Sequence, residues 1–365
     1  MSEINNINKK SDFRALVVPL DWGLGHATRC IPIISTFIKS GINVIVAAER
    51  ETKVLLEIEF PRLQILDIKG YRIKYQKKGS FNLKLISQIP SILKSIKNEK
   101  VWLDKIINEH KIDLVISDNR YGLVSKKAYC VFVTHQLNIL TGNKVLNYLL
   151  RRINYFFIER FDECWIPDLK AQDNFSGILS HPDLFPKIKI KYVGILSRFK
   201  KFYSPKLYDF LFLISGPEPQ RTVFENQLIE SSKNISGNKI FVRGKPGSTE
   251  LIVSGNSQFF NHLSSEDLNK LILESDVIIC RSGYSTIMDL ATVGKKAVLI
   301  PTPKQKEQEY LAKYLNNKNG FVFLNKIKEL DYSIKRLSES PPPKEIAPNL
   351  EQAITEILND LISQK

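Results

Sequence analysis

The chain has 365 residues, of which 43% are hydrophobic and 25% charged, and a formal net charge of +15. That length exceeds one ordinary core, so two domains of about 150–200 residues are expected, in a globular rather than a disordered chain. No uncharged apolar run nears the ~20 residues of a membrane span, and the start "MSEINNINKKSDF" lacks the apolar core of a signal peptide.

In chain order, the apolar run "ALVVPL" (15–20) predicts a buried strand, and "CIPIISTFIKSG" (30–41) has helical apolar spacing closed by Gly41. "NVIVAA" (43–48) completes a βαβ unit. Further strands are predicted at 64–68, 113–117, 130–134, 163–167 and 190–195, with helices between them. The pattern restarts at "DFLFLIS" (209–215), past the polar, aromatic "SRFKKFYSPKLY", and continues with strands at 239–243, 276–280, 296–301 and 320–324. After the breaker "ESPPPKEIAP", residues 349–362 place Leu350, Ile354, Ile357, Leu358 and Leu361 on one helical face. This alternation implies an α/β protein with two doubly wound, Rossmann-like domains facing across a cleft. The expected boundaries are 1–200, 201–345, and 346–365 for a terminal amphipathic helix.

Charge divides with the domains. Residues 1–200 hold 32 Lys and Arg against 19 Asp and Glu, a net +13, whereas residues 201–365 hold 21 against 19. The asymmetry points to an anionic partner for the first half: a phosphorylated substrate, an anionic membrane surface or nucleic acid. No nucleic-acid module accompanies it, so no nucleic-acid partner is expected. The basic stretch 69–78 and "NKVLNYLLRRINYFFIERF" (143–161) could each rest on an anionic bilayer; an ordinary core-facing helix fits the second equally well. Cys30, Cys130, Cys164 and Cys280 show no paired spacing, so neither a metal site nor a disulfide framework is expected, and they read as reduced, buried thiols of a cytoplasmic protein.

The stretch 274–315 carries the most specific spacing. A strand runs into Arg-Ser-Gly, and a helix is expected from about Tyr284. Its start leaves the N–H groups of Gly283, Tyr284, Ser285 and Thr286 for an anion. Asp289 falls on the face of Ser285 and Thr286, one turn deeper, where a carboxylate could accept hydrogen bonds from a ribose diol. Ser215 and Gly216 lie in another strand-to-helix turn, and Arg198 in "YVGILSR" is a fixed cation near the domain junction.

Between the first strand and helix, "VVPLDWGLGHATR" (17–29) lacks the third glycine of a dinucleotide fingerprint. Gly23 and Gly25 permit a tight turn and close backbone approach. His26 then stands at a helix N-terminus, which favours its neutral form and suits removal of a proton from a hydroxyl. A histidine that only caps the helix fits the same pattern, and His135, also at a strand end, competes for the base role. Asp118 and Arg120 end the strand before it.

Together these motifs resemble family 28 glycosyltransferases of the GT-B fold, the family of the peptidoglycan N-acetylglucosaminyltransferase and diacylglycerol sugar transferases. Arg281, Gly283, Thr286, Asp289, Gly294, Pro301 and Gln308 fall in register, with Asp289 where glutamate is usual and Glu309 where a second glutamine is usual. Val193, Gly194 and Arg198 are similar to a second family spacing. "DWGLGH" resembles the family's glycine-rich loop, with Asp21 and Trp22 replacing glycines, and "THQLNILTGN" resembles its His-Glu-Gln-Asn loop at His135, Asn138 and Gly142.

The resemblance implies an inverting, metal-independent transferase moving a hexose or N-acetylhexosamine from a UDP-sugar to a hydroxyl of a lipid-linked or glycan acceptor. It implies no cofactor beyond that donor; the basic first half adds that a cytoplasmic protein of this kind could sit peripherally on the inner face of the cell membrane. Arg198, Ser282, Gly283, Tyr284, Ser285 and Thr286, with Ser215 and Gly216, would hold the diphosphate, Asp289 the ribose, and Gln308 and Glu309 the donor sugar. His26, or else His135, would be the base, and Gly23, Gly25, Asp118, Arg120 and Asn138 would line the acceptor. The alternatives are a nucleotide-sugar epimerase or hydrolase of the same fold, and a polyanion-binding protein with a vestigial donor site.

Overall fold

The computed structural model describes residues 12–71, 81–245, 250–344, 346 and 350–363. They form two compact units, each built on a sheet that has seven strands among the described residues.

In the first unit, β1 (Arg14–Pro19) leads into α1 (Leu24–Lys39) and β2 (Asn43–Ala48), then α2 (Arg50–Glu59), β3 (Gln64–Asp67) and the long α3 (Phe81–His110). β4 (Leu114–Asp118), β5 (Tyr129–Val133), α4 (Lys144–Ile158), β6 (Glu163–Ile166) and β7 (Lys189–Tyr192) follow. The sheet order is β3-β2-β1-β4-β5-β6-β7, with every pairing parallel. Helices cover both faces of such a sheet, which is why β1 and β4 are near-continuous apolar runs rather than alternating ones. The order reverses between β1 and β4, where Pro19 lies opposite Asp118, so the loops leaving these two strands diverge and open a crevice at their carboxyl ends.

The second unit repeats the plan with β8 (Tyr208–Leu213), α5 (Gln220–Ser232), β9 (Lys239–Val242), β10 (Leu251–Ser254), β11 (Ser257–Phe260), α6 (Ser265–Glu274), β12 (Ser275–Arg281), α7 (Tyr284–Val293), β13 (Ala297–Ile300), α8 (Lys306–Tyr314), β14 (Phe321–Phe323) and α9 (Leu330–Glu339). Its order is β10-β11-β9-β8-β12-β13-β14, parallel except for the β10–β11 hairpin. Phe212, Phe241 and Phe259 stack across three neighbouring strands, with ring centroids 4.4 and 4.7 Å apart. Each such pair contributes about 0.5–1.5 kcal/mol beyond the area it buries.

Four details differ from the sequence expectation. The first helix starts at Leu24 rather than at residue 30, so His26 is helical. The hairpin β10–β11 was not foreseen, although Gly255, at φ 59 between two short apolar runs, was its signal. The boundary falls between Leu196 and Ser197, with Phe175–Gly177 counted in the second unit. The terminal helix α10 (Leu350–Ser363) is no separate piece: it belongs to the first unit, where Leu350, Ile354, Ile357 and Leu358 are buried and the Lys191 ammonium donates to the Ala353 carbonyl at 3.2 Å. The four cysteines are free thiols, all buried.

Candidate active site

At the carboxyl end of the first sheet, four residues separate β1 from α1. Gly23 closes that turn at φ 82, a conformation L side chains rarely adopt. His26 and Arg29 follow three residues apart on α1, so they share a face. That face meets Asp118, the last residue of β4, and His135, just past β5.

Asp118 is fully buried. His26 Nδ1 lies 2.8 Å from its Oδ2, and Arg29 Nε donates to its Oδ1 at 2.7 Å, with Arg29 Nη2 bonded to the same oxygen. Arg29 Nη1 reaches His135 Nδ1 at 3.0 Å, and His135 is itself buried. Burial alone would raise the pKa of Asp118, but the Arg29 and His26 charges and hydrogen bonds outweigh it and hold the carboxyl below its ordinary value. His26 is shifted down, chiefly by burial, with Arg29 acting in the same sense and Asp118 opposing. The sequence expectation of a neutral His26 thus acquires a cause other than the helix end alone.

The acceptor-side residues separate. Gly25 lies inside the first turn of α1, where its carbonyl accepts from Thr28 Oγ1 at 3.0 Å. Asn138 donates its side-chain amide to the Ile178 carbonyl at 2.7 Å. Two expectations are corrected. Asp118 has no exposed surface to line an acceptor; it orients His26 and Arg29 instead. Arg120 is likewise fully buried, with Nε donating to Glu99 at 2.8 Å and Nη2 to the Lys69 carbonyl at 2.6 Å, and its guanidinium faces the Tyr71 ring. Arg120 is a brace of the fold, because a buried guanidinium needs its hydrogen bonds met from within.

In the second unit, Gly283 caps α7 with no side chain of its own to offer the first-turn N–H groups. Ser282 Oγ donates to the Gln308 carbonyl at 2.9 Å, and Gln308 Oε1 accepts from Thr302 N at 2.8 Å, so the starts of α7 and α8 are tied together. Tyr284 is buried, whereas Ser285 and Thr286 are half-buried. Arg281 stacks over the Phe224 ring at 3.6 Å and donates to the Pro301 carbonyl at 2.8 Å, and burial pushes its pKa down to about 10. Glu309 pairs with Lys306 at 2.7 Å, and Ser215 and Gly216 lie exposed beyond β8.

Asp289 is placed otherwise than expected. It is buried, accepts from the Ser197 hydroxyl at 2.6 Å and from the Arg198 backbone N–H, and so clamps the corner that carries Arg198. The Arg198 guanidinium donates to Ser265 Oγ at 2.8 Å and lies over the Phe199 ring. Arg29, Ser197 and Ser265 were not singled out from the sequence. For Arg29 a signal existed, its three-residue spacing from His26 in "HATR"; for the two serines none did.

Known proteins resemble this chain in sequence and in fold. Residues 250–360 match the glycosyltransferase family 28 C-terminal domain. The chain is 23% identical over 327 residues to the UDP-N-acetylglucosamine–N-acetylmuramyl-(pentapeptide) pyrophosphoryl-undecaprenol N-acetylglucosamine transferase of Haemophilus ducreyi, covering 86% of this chain and 84% of that one. It is 25% identical over 303 residues to the protein of the same name from Buchnera aphidicola, covering 79% and 77%. Among solved structures, the glycosyltransferase SnogD from Streptomyces nogalater superposes with a TM-score of 0.60 at 14% identity, over 96% of this chain and 99% of that one. Acinetobacter baumannii MurG superposes with a TM-score of 0.53 at 14% identity, over 95% and 99%. The chain is a glycosyltransferase of the GT-B fold that carries the family 28 C-terminal domain over residues 250–360.

Proposed function

We propose that the protein is an inverting, metal-independent transferase that moves a hexose or N-acetylhexosamine from a UDP-sugar to a hydroxyl of a lipid-linked or glycan acceptor. The observation that carries this reading is the His26–Asp118 pair at the carboxyl end of β1 and β4. A neutral imidazole held by a buried carboxylate takes the proton of the acceptor hydroxyl on Nε2 as that oxygen attacks the anomeric carbon. The bond from the anomeric carbon to the diphosphate breaks on the opposite face, which inverts the centre. Negative charge then develops on the departing nucleotide, where the N–H groups at the start of α7 and the Arg198 guanidinium can receive it. The relatives' names support UDP as the nucleotide and a lipid-linked diphosphate as the acceptor class.

The acceptor reading has a surface to support it. One face of α4 is buried through Asn154, Tyr155 and Ile158, while Val145, Tyr148, Leu149, Ile153 and Phe156 are each at least half exposed, with Arg152 among them. Phe157 of the same helix packs on the cluster of Leu20, Tyr71 and Ile96, directly before the turn to His26. An exposed apolar and basic face beside the acceptor end suits an anionic bilayer. Most of the other candidate segment, 69–78, lies outside the described residues. Among the described residues, no helix is long and apolar enough to cross a membrane.

The test is turnover of UDP-N-acetylglucosamine with a membrane-extracted lipid acceptor. His26→Ala should lose about 10²–10⁴ in turnover while UDP affinity by calorimetry stays unchanged. A larger defect in His135→Ala would move the base to His135. Appearance of an epimerised nucleotide sugar without acceptor would overturn the transferase reading in favour of an epimerase.

A further inference from the structure

An arginine cannot accept a hydrogen bond, and at Arg29 this constrains the protons on both histidines. Its Nη1 lies 3.0 Å from His135 Nδ1, so that nitrogen is the acceptor, and in the neutral ring the proton sits on Nε2. His26 Nδ1 lies 2.8 Å from Asp118 Oδ2 and 2.9 Å from Arg29 Nη2, and only one of these approaches can be a hydrogen bond. Arg29 already donates to Asp118 through Nε and Nη2, which keeps the carboxylate ionised. A carboxylate oxygen and an imidazole nitrogen at 2.8 Å then need the proton on the nitrogen. His26 therefore carries Nδ1–H and keeps its lone pair on Nε2.

We propose that Arg29 is a positioning residue that gives the two histidines opposite roles: His26 presents an accepting Nε2, and His135 a donating Nε2–H. His26 then offers the lone pair that can take a hydroxyl proton, whereas the His135 proton stays on Nε2. With its lone pair engaged by Arg29, His135 is barred from acting as the base. The side-chain amide of Gln136, 3.4 Å from His135 Nε2, can turn its oxygen toward that N–H. The use of these roles in catalysis rests on the base reading of His26; the proton positions do not.

Three groups act on His26 by charge: Asp118 from the end of β4, Arg29 from its own helix, and His135 from beyond β5. Removing Arg29 takes away a repulsion of the charged imidazole and leaves the attraction of Asp118. His26 then titrates at higher pH.

Long-range ¹H–¹⁵N NMR of the full chain with labelled histidine, recorded across pH, tests the proposal. The sequence has five histidines, and His26→Gln and His135→Gln assign the two signals. The wild type should show His26 as the Nδ1–H form and His135 as the Nε2–H form. In Arg29→Met, His135 should lose its fixed form and His26 should titrate higher. Arg29→Lys covers the case in which the methionine variant fails to fold. It keeps a cation beside Asp118, but one ammonium lacks the fork that reaches His135, so only the His135 form is released. An Nδ1–H form of His135 in the wild type, or an unchanged His135 signal in every folded Arg29 variant, overturns the proposal. Full turnover in His26→Ala would remove the base reading and leave the proton assignment standing.

Discussion

At Asp289, burial and hydrogen bonding pull in opposite directions. Burial raises the carboxyl and prevails, taking it to about 6, while the Arg198 charge, the Ser197 hydroxyl and the Arg198 N–H favour the ionised form. A carboxyl whose folded pKa lies above its unfolded value of about 3.9 costs stability as pH rises, because the unfolded chain releases its proton first. The cost is absent below about pH 4 and complete above about pH 6, on the order of 3 kcal/mol for a shift of about two units. Asp289→Asn has no such titration. Melting temperatures of the two proteins measured from pH 4 to 7.5 should therefore move in the variant's favour as pH rises. A constant difference would mean that Asp289 titrates in the ordinary range. Such behaviour was not legible in the sequence, where Ser197 stands far from Asp289 and nothing joins them. His26 and His135 were legible as candidates because each follows an apolar strand. The carboxylate that orients His26 reads from the sequence as an acceptor contact, since a strand-end aspartate looks the same whether it is exposed or fully covered.

The start of α7 is the element on which the donor reading depends, and Gly283 separates its structural role from its binding role. Its backbone, at φ −75 and ψ 136, is open to any residue, and an added Cβ would meet nothing closer than Gln308 Nε2 at 3.9 Å and Thr286 Oγ1 at 4.0 Å. Gly283→Ala should thus fold normally. The poorer cap and the smaller entropy of the unfolded chain offset each other to within about 1 kcal/mol. The methyl group nevertheless enters the space over the first-turn N–H groups, where a diphosphate would sit. UDP affinity should fall by about 1.5–3 kcal/mol, the worth of a hydrogen bond to a charged group. Calorimetry with UDP, beside a thermal melt, checks both halves. Unchanged affinity would take the diphosphate away from α7. This element was readable in advance because a strand, a glycine and a helix start are local features, set by a dozen consecutive residues.

Across the whole molecule, charge is the coarsest property and the one with the most direct external test. The excess of 32 basic over 19 acidic residues in 1–200, with the exposed apolar face of α4, predicts reversible docking on anionic lipid. Each basic residue near such a surface contributes about 1 kcal/mol. The full chain should co-sediment with phosphatidylglycerol vesicles, less so with phosphatidylcholine, and the bound fraction should fall as salt is raised. Ile153→Ser with Phe156→Ser, both exposed and therefore harmless to the core, should weaken it. Equal partitioning onto both vesicles would sink electrostatic docking.

What the sequence determined by itself is what consecutive residues can encode: the strand-and-helix alternation, the two-unit plan, the two strand-to-helix turns with their glycines, and the family pattern over 274–315. Tertiary structure alone decided which polar residues meet. Asp118 stands 89 residues from Arg29 and Ser197 stands 92 from Asp289, yet each pair is within hydrogen-bond reach. For the first pair the parallel sheet is the reason, since Asp118 ends β4 directly beside β1. Such a sheet brings distant strand ends to one edge in an order that local pattern does not specify, and a side chain becomes base, brace or clamp only through the neighbours it finds there.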